Sequence, residues 1–211
     1  MPPMPVETTN KHELRTRETR ALLLEAAEKI FVRDGYEGAE LGEIAALAGR
    51  TKGAIYAQFK SKEDIFLALV EEQRMRSRAQ MEKLISESKS IEDNLKALRN
   101  FYLERAEDQT WSLLLLEFKL FAMRHPASKE KLRHFYESTV SVGEESRFAA
   151  YLGSAPKGRN SISRVTAIQA LQPVISGLVL EAQLDTTLAD KETMKKVVNR
   201  IFDVLLNVAA Q

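Results

Sequence analysis

The chain has 211 residues, 44% hydrophobic and 29% charged, enough to bury a core and too apolar to remain disordered. Its 31 Lys plus Arg face 30 Asp plus Glu, so the net charge of +1 provides no global attraction for nucleic acid, and any such partner must be met by local charge. There is no cysteine, which excludes disulfides and thiolate metal sites, and the longest apolar runs, such as residues 113–116, are far too short to span a bilayer.

The opening residues lack the apolar stretch of a secretory signal. With a reducing compartment the simplest home for a cysteine-free chain, a soluble cytoplasmic protein without membrane contact is expected. Residues 1–16 read as a flexible arm, since Pro2, Pro3 and Pro5 oppose regular structure over about the first 12. Lys11, His12, Arg15, Arg17 and Arg20 make this end basic, which suits either a solvated tail or contact with phosphates or a minor groove.

Helical spacing begins at Arg17 and runs to Asp34, with Leu23, Ala27, Ile30 and Phe31 at i, i+4, i+7 and i+8. Gly35 ends this segment and lets Tyr36 pack back on the core. Residues 40–59, ELGEIAALAGRTKGAIYAQF, then predict two short helices joined by a tight turn. Ile44, Ala45 and Ala48 share one face of the first. Gly49 stands where the chain must reverse and needs positive φ. Thr51 caps the second helix, and Ile55 and Phe59, four apart, turn inward. Lys52, Ala54, Tyr56 and Gln58 are left outward. Between Arg50 and Lys62 there is no acid, while Arg50, Lys52, Lys60 and Lys62 are basic. This is the pattern of a helix-turn-helix, whose second helix enters a major groove.

Ser61 starts the next helix, with Asp64 at the capping-box position. Ile65, Phe66, Leu69 and Val70 form its apolar side, and it continues too far to belong to a small head alone. Ser90 with Asp93 repeats the start signal for a helix bearing Leu95, Leu98, Phe101, Tyr102 and Leu103. Residues 110–125 are apolar nearly all round and predict a centrally buried helix closed by Pro126. One further helix is expected from Ser128 to Tyr151, then a loop over 153–161. An apolar helix over 165–184 carries Pro173, which should kink it. Asp190 starts the last helix, with Met194, Val197, Val198, Ile201, Phe202, Val204 and Leu205 at helical spacing. The expected class is all-α. The last two helices carry more apolar surface than a terminal pair buries on one side, which predicts a homodimer face, core packing being the simpler alternative.

The run LLLEAAEKIFVRDGYEGAELGEIAALAGRTKGAIYAQFKSKEDIFLALV resembles the DNA-binding head of the TetR family of bacterial transcriptional regulators, over about residues 17–77. Its wording LGEIA, AG, GAIY and FK is similar to the AcrR branch. The resemblance implies a three-helix head, a C-terminal bundle over 78–211 that encloses a ligand and dimerises through its last two helices, and a double-stranded operator as partner. It implies that Thr51 caps the recognition helix and meets a phosphate, that Lys52 lies against a base edge or phosphate, and that Gly53 allows close approach. Ala54 and Gln58 would face thymine methyl and adenine, Tyr56 a phosphate, and Lys62 a phosphate at the next helix start. Four positions depart from the family pattern, one of them Gln58, which stands where His or an aromatic residue is common and changes which base would be read. Arg50 replaces an apolar turn residue, and Ala39 and Glu40 replace the usual Thr or Ser.

The expected function is therefore a ligand-responsive transcriptional regulator, a repressor that binds a near-palindromic operator as a dimer and is released by a small apolar molecule. Phe101, Tyr102, Arg105, Trp111, Phe118, Phe121 and Phe135 are the candidates to line the effector site, with plain core packing as the competing role. The alternative is a helical ligand-binding or interaction module without DNA binding, which Ala39, Glu40 and Arg50 keep open. No HExxH, GxGxxG, phosphate-loop or GxSxG pattern occurs, and His12, His125 and His134 stand in no metal-ligand spacing, so neither an enzyme nor a metal or cofactor is expected.

Overall fold

The computed structural model describes residues 11–107, 109–139, 144–155 and 161–207. Every element among them is an α-helix: α1 (Lys11–Gly38), α2 (Leu41–Leu47), α3 (Lys52–Gln58), α4 (Lys62–Ser86), α5 (Ile91–Glu107), α6 (Gln109–Arg124), α7 (Pro126–Thr139), α8 (Glu144–Leu152), α9 (Arg164–Glu181), α10 (Thr186–Ala189) and α11 (Lys191–Leu206). The chain divides into two compact units, Met1–Glu72 and Gln73–Gln211.

In the first unit α1 carries Leu23, Leu24, Ala26, Ala27, Ile30 and Phe31 on its buried face. Its helical path breaks at Gly35, whose φ of 73° and ψ of 177° suit a residue without Cβ. The break swings Tyr36 into the core, where it stacks on Phe31 at 5.9 Å between ring centroids. Phe66 of α4 meets both rings edge-on at 5.2 Å. These fully buried rings anchor the start of α4, and Ile44, Ala45, Ile55 and Phe59 complete the same unit's core. The start of α1 differs from expectation. Residues 11–16, assigned to the arm by sequence, continue the helix, because no proline or glycine interrupts residues 11–34 and Glu13 lies in the first turn, near the positive end of the dipole. The remainder of the arm lies outside the described residues.

The second unit packs α9 against α5, α6, α8 and α11, and α6 against α7. Leu98, Phe101, Tyr102, Phe148, Ala167, Leu171, Ile175, Val179, Val198, Phe202 and Leu206 form its main core. The helix expected over 128–151 is described on either side of residues 140–143, which lie outside the described residues: α7 lies on α6, and α8 on α5 and α9. Pro126 opens α7 at its first position, where its missing N–H costs nothing, instead of merely closing α6. Nor is α6 buried all round, since Leu120 and Met123 are 59% and 64% exposed. The helix α9 runs through Pro173 as one element, and the short α10 follows it. Of the expected loop over 153–161, residues 156–160 lie outside the described residues.

Start signals placed by sequence sit where their caps require. Asp64 N donates to Ser61 Oγ at 3.2 Å, Asp93 N to Ser90 Oγ at 3.1 Å, and Thr193 N to the Asp190 carboxylate at 2.8 Å. Arg164 was not anticipated. Only 7% exposed, its guanidinium donates to the carbonyls of Leu152 (3.3 Å), Gly153 (3.0 Å), Ser154 (3.2 Å) and Leu206 (2.5 Å). It thereby satisfies orphan carbonyls at the ends of α8 and α11 from the start of α9. Beside it, the Glu145 carboxylate accepts from the backbone N–H groups of Arg164 and Val165, both at 2.9 Å. These bonds, that from Val165 foremost, hold the Glu145 carboxyl below the usual carboxylate range.

A carboxyl depressed in the folded state contributes stability that is complete above its unfolded pKa, about 4.3, and is lost as pH falls through the folded value. Replacing Glu145 by Gln should therefore lower stability at pH 7 and reduce the further loss between pH 5 and pH 3. Urea unfolding of the full chain across that range measures it, and an unchanged acid limb would contradict the assignment.

Candidate nucleic-acid interface

The turn between α2 and α3 is built by backbone hydrogen bonds. Gly49 N donates to Ala46 O at 3.0 Å and Arg50 N to Ala45 O at 2.9 Å, the paired bonds of a Schellman ending. This closure requires a left-handed residue at Gly49, and its φ is 63°. The residue after it usually packs an apolar side chain on the preceding helix. Here that residue is Arg50, whose Nη1 donates to Gly49 O at 3.2 Å while the side chain stays exposed.

Thr51 follows in extended conformation, and its Oγ1 accepts from Ala54 N at 3.3 Å, so α3 is capped by the hydroxyl expected to cap it. Inside α3, Ile55 is fully buried, and Phe59 at its end is 4% exposed. The opposite side presents Lys52, Gly53, Tyr56 and Ala57 to solvent, with Ala54 and Gln58 half-buried. Ala57 was assigned no role by sequence, although it stands one helical turn after the exposed Gly53. At the head of α2, Glu40 takes the N-cap conformation but makes no side-chain capping bond, and Ala39 is buried. A hydroxyl at either position would have served differently.

Lys62 has a structural role that its position at a helix start did not reveal. Its ammonium donates to Glu37 O at 2.9 Å and Ala39 O at 3.1 Å, and lies 5.0 Å from the centre of the Tyr36 ring. A cation on carbonyls at a helix end is favourable, and it ties α4 to the junction of α1 and α2. At the other end of α3, Arg20 of α1 lies over the Phe59 ring, with Cζ 4.4 Å from its centroid.

The seven effector candidates lie on three helices of the second unit. On α5, Phe101 and Tyr102 meet edge to face at 5.4 Å, and the Arg105 guanidinium lies 5.6 Å from the Phe101 ring centre. Arg105 donates to Gln172 Oε1 of α9 at 3.0 Å and to Ser77 Oγ of α4 at 2.8 Å. Burial pushes the Tyr102 hydroxyl up to about 12, against the opposing pull of Arg105. The others lie on α6 and α7. There Trp111 and Phe118 are buried, Phe121 stacks on Phe118 at 6.5 Å and on the His125 ring at 3.9 Å, and Phe135 is half-buried beside Tyr136. No helix among the described residues is long and apolar enough to cross a membrane.

Comparison with known proteins bears on the whole chain. The family model described as bacterial regulatory proteins, tetR family, matches residues 23–69. The transcriptional repressor AcnR of Corynebacterium efficiens is 30% identical over 141 residues, 67% of this chain and 68% of that protein. The transcriptional regulator AcrR of Shigella flexneri is 45% identical over 56 residues, 26% of each chain. Among solved structures, a TetR-family transcriptional regulator from Rhodococcus sp. superposes with a TM-score of 0.66 at 21% identity, covering 90% of this chain and 99% of its own.

If the Thr51 hydroxyl holds the first turn of α3, Thr51→Ala should cost about 1 kcal/mol locally and speed amide exchange at Ala54 roughly fivefold, while Thr51→Ser retains protection. Equal exchange in all three proteins would show that the cap contributes nothing.

Proposed function

Because this chain belongs to the TetR family of bacterial regulatory proteins, it is a DNA-binding transcriptional regulator, and we propose that it acts as a dimeric repressor released by a small apolar effector. The observation that carries the DNA-contact assignment is α3 itself: a capped helix whose one side is core and whose other side exposes Lys52 and Tyr56, within a stretch that has no acid from residue 50 to 62. In this reading Arg50, Thr51, Lys52 and Tyr56 meet phosphates, Gly53 allows close approach, and Ala54 and Gln58 meet base edges. Lys62 adds a phosphate contact to its bonds with the Glu37 and Ala39 carbonyls.

The dimer is assigned to α9 and α11. They pack on one another, yet Val174, Leu180 and Val204 remain 40%, 41% and 66% exposed. Apolar surface on a terminal helical pair is what an isologous contact buries. Two heads related by a two-fold axis would place their α3 helices in successive major grooves, about 34 Å apart, so the operator should be nearly palindromic. The effector is assigned to the second unit, near Phe101, Tyr102 and Arg105. It releases DNA by binding better to the conformer whose heads do not match the operator, and a coupling of about 3 kcal/mol lowers operator affinity roughly 100-fold. The continuous α4, whose residues belong to both units, is the element that would carry this shift. The cytoplasm is the compartment that this role requires.

Gel shift of the full chain against the DNA upstream of its own coding region tests the reading directly. Lys52→Ala should weaken binding and lower the salt slope by about one, and Gln58→Ala should relax preference at one base pair by about 1–3 kcal/mol. Lys62→Ala should lose both stability and affinity. A wild-type chain that prefers no segment of that DNA would remove the function. Light scattering after size exclusion should give a dimer at micromolar concentration, and a stable monomer would remove the assignment to α9 and α11.

A further inference from the structure

Four cations of the first unit stand at or beside the two ends of α3. Arg50 and Lys52 stand at its start. At its far end Lys60 is exposed immediately after the buried Phe59, and Arg20, contributed by α1, lies over the Phe59 ring. Seven residues of α-helix span about 10 Å. A B-form major groove is about 12 Å wide and is bordered by one phosphate backbone on each side. A helix of this length with positive charge at both ends can therefore meet both borders at once.

We propose that Arg20, held by the Phe59 ring, contacts the phosphate backbone on the side of the groove opposite the one met by Lys52. The proposal rests on the reading of α3 as the groove-binding helix and adds a residue from a distant part of the chain. Two properties of the geometry favour it. Contact with a ring restrains a long side chain that otherwise loses rotamer entropy on fixing, so less is lost when DNA arrives. A guanidinium also carries its N–H donors in a planar fork, which meets a phosphate in the bidentate arrangement that lysine cannot make. Arg20 lies on α1, well inside the helix, so its position is set by the fold and not by the arm that precedes it.

The test uses the full chain and a duplex of the DNA upstream of its own coding region, with affinity measured against salt concentration. Arg20→Met keeps the stem over Phe59 and removes the charge. It should lower the salt slope by about one while base preference stays as in wild type. Methylphosphonates placed singly along the two strands should locate the contact: one neutral substitution should weaken wild type and leave Arg20→Met unaffected. Arg20→Lys should restore the slope without full affinity. An unchanged slope in Arg20→Met, with affinity falling only in step with thermal stability, would overturn the proposal and leave Arg20 as a cover for Phe59. A wild-type chain with no salt-dependent binding to duplex would overturn both this and the function it rests on.

Discussion

The reversal at Gly49 is the constraint on which the first unit depends. Two backbone hydrogen bonds end α2 there, and both need a residue at positive φ. The space around that position is open, so the requirement is one of backbone conformation and not of packing. Any residue with a branched Cβ would resist the same φ and redirect the chain that follows. Since α3 has only seven residues, it is too short to be stable alone and takes its direction entirely from this turn and from the core beneath it.

That core divides the labour between the two sides of a short segment. Ile55 and Phe59 face inward, joining the unit that holds the aromatic cluster of Phe31, Tyr36 and Phe66, while the alternate side is left to polar and small residues. Rigid support beneath exposed contacts is what a reader of base edges needs, because an error of a fraction of a hydrogen-bond length changes which base is favoured. Lys62 and Arg20 serve the same end. One fastens α4 to the end of α1, and the other covers the inward ring at the end of α3. In both cases a basic side chain stabilises the head while placing positive charge near the proposed DNA surface.

Much of this was legible in the sequence because it is local. Gly49, Thr51, Ser61, Ser90 and Asp190 each act on backbone groups within a few residues, so spacing alone identifies them. What escaped was decided by distant contacts. Pro126 could be read as an ending or a beginning until α7 was seen to start there. The carbonyl bonds of Lys62, the Arg164 clasp and the Arg20 contact with Phe59 join segments far apart in sequence, and no periodicity reports them. The effector candidates show the same limit: six aromatic side chains and Arg105 were selected by their place on long helices, and the fold distributes them over α5, α6 and α7.

The proposed DNA-bound dimer puts α3 in the major groove once from each subunit. Methylation of guanine N7 changes only that groove, so an interference footprint of the full chain on its own upstream DNA reads this placement most directly. Two patches of interference about one helical turn apart, related by the symmetry of the site, are expected. Binding that is indifferent to N7 methylation, or a single patch with no counterpart, would contradict it.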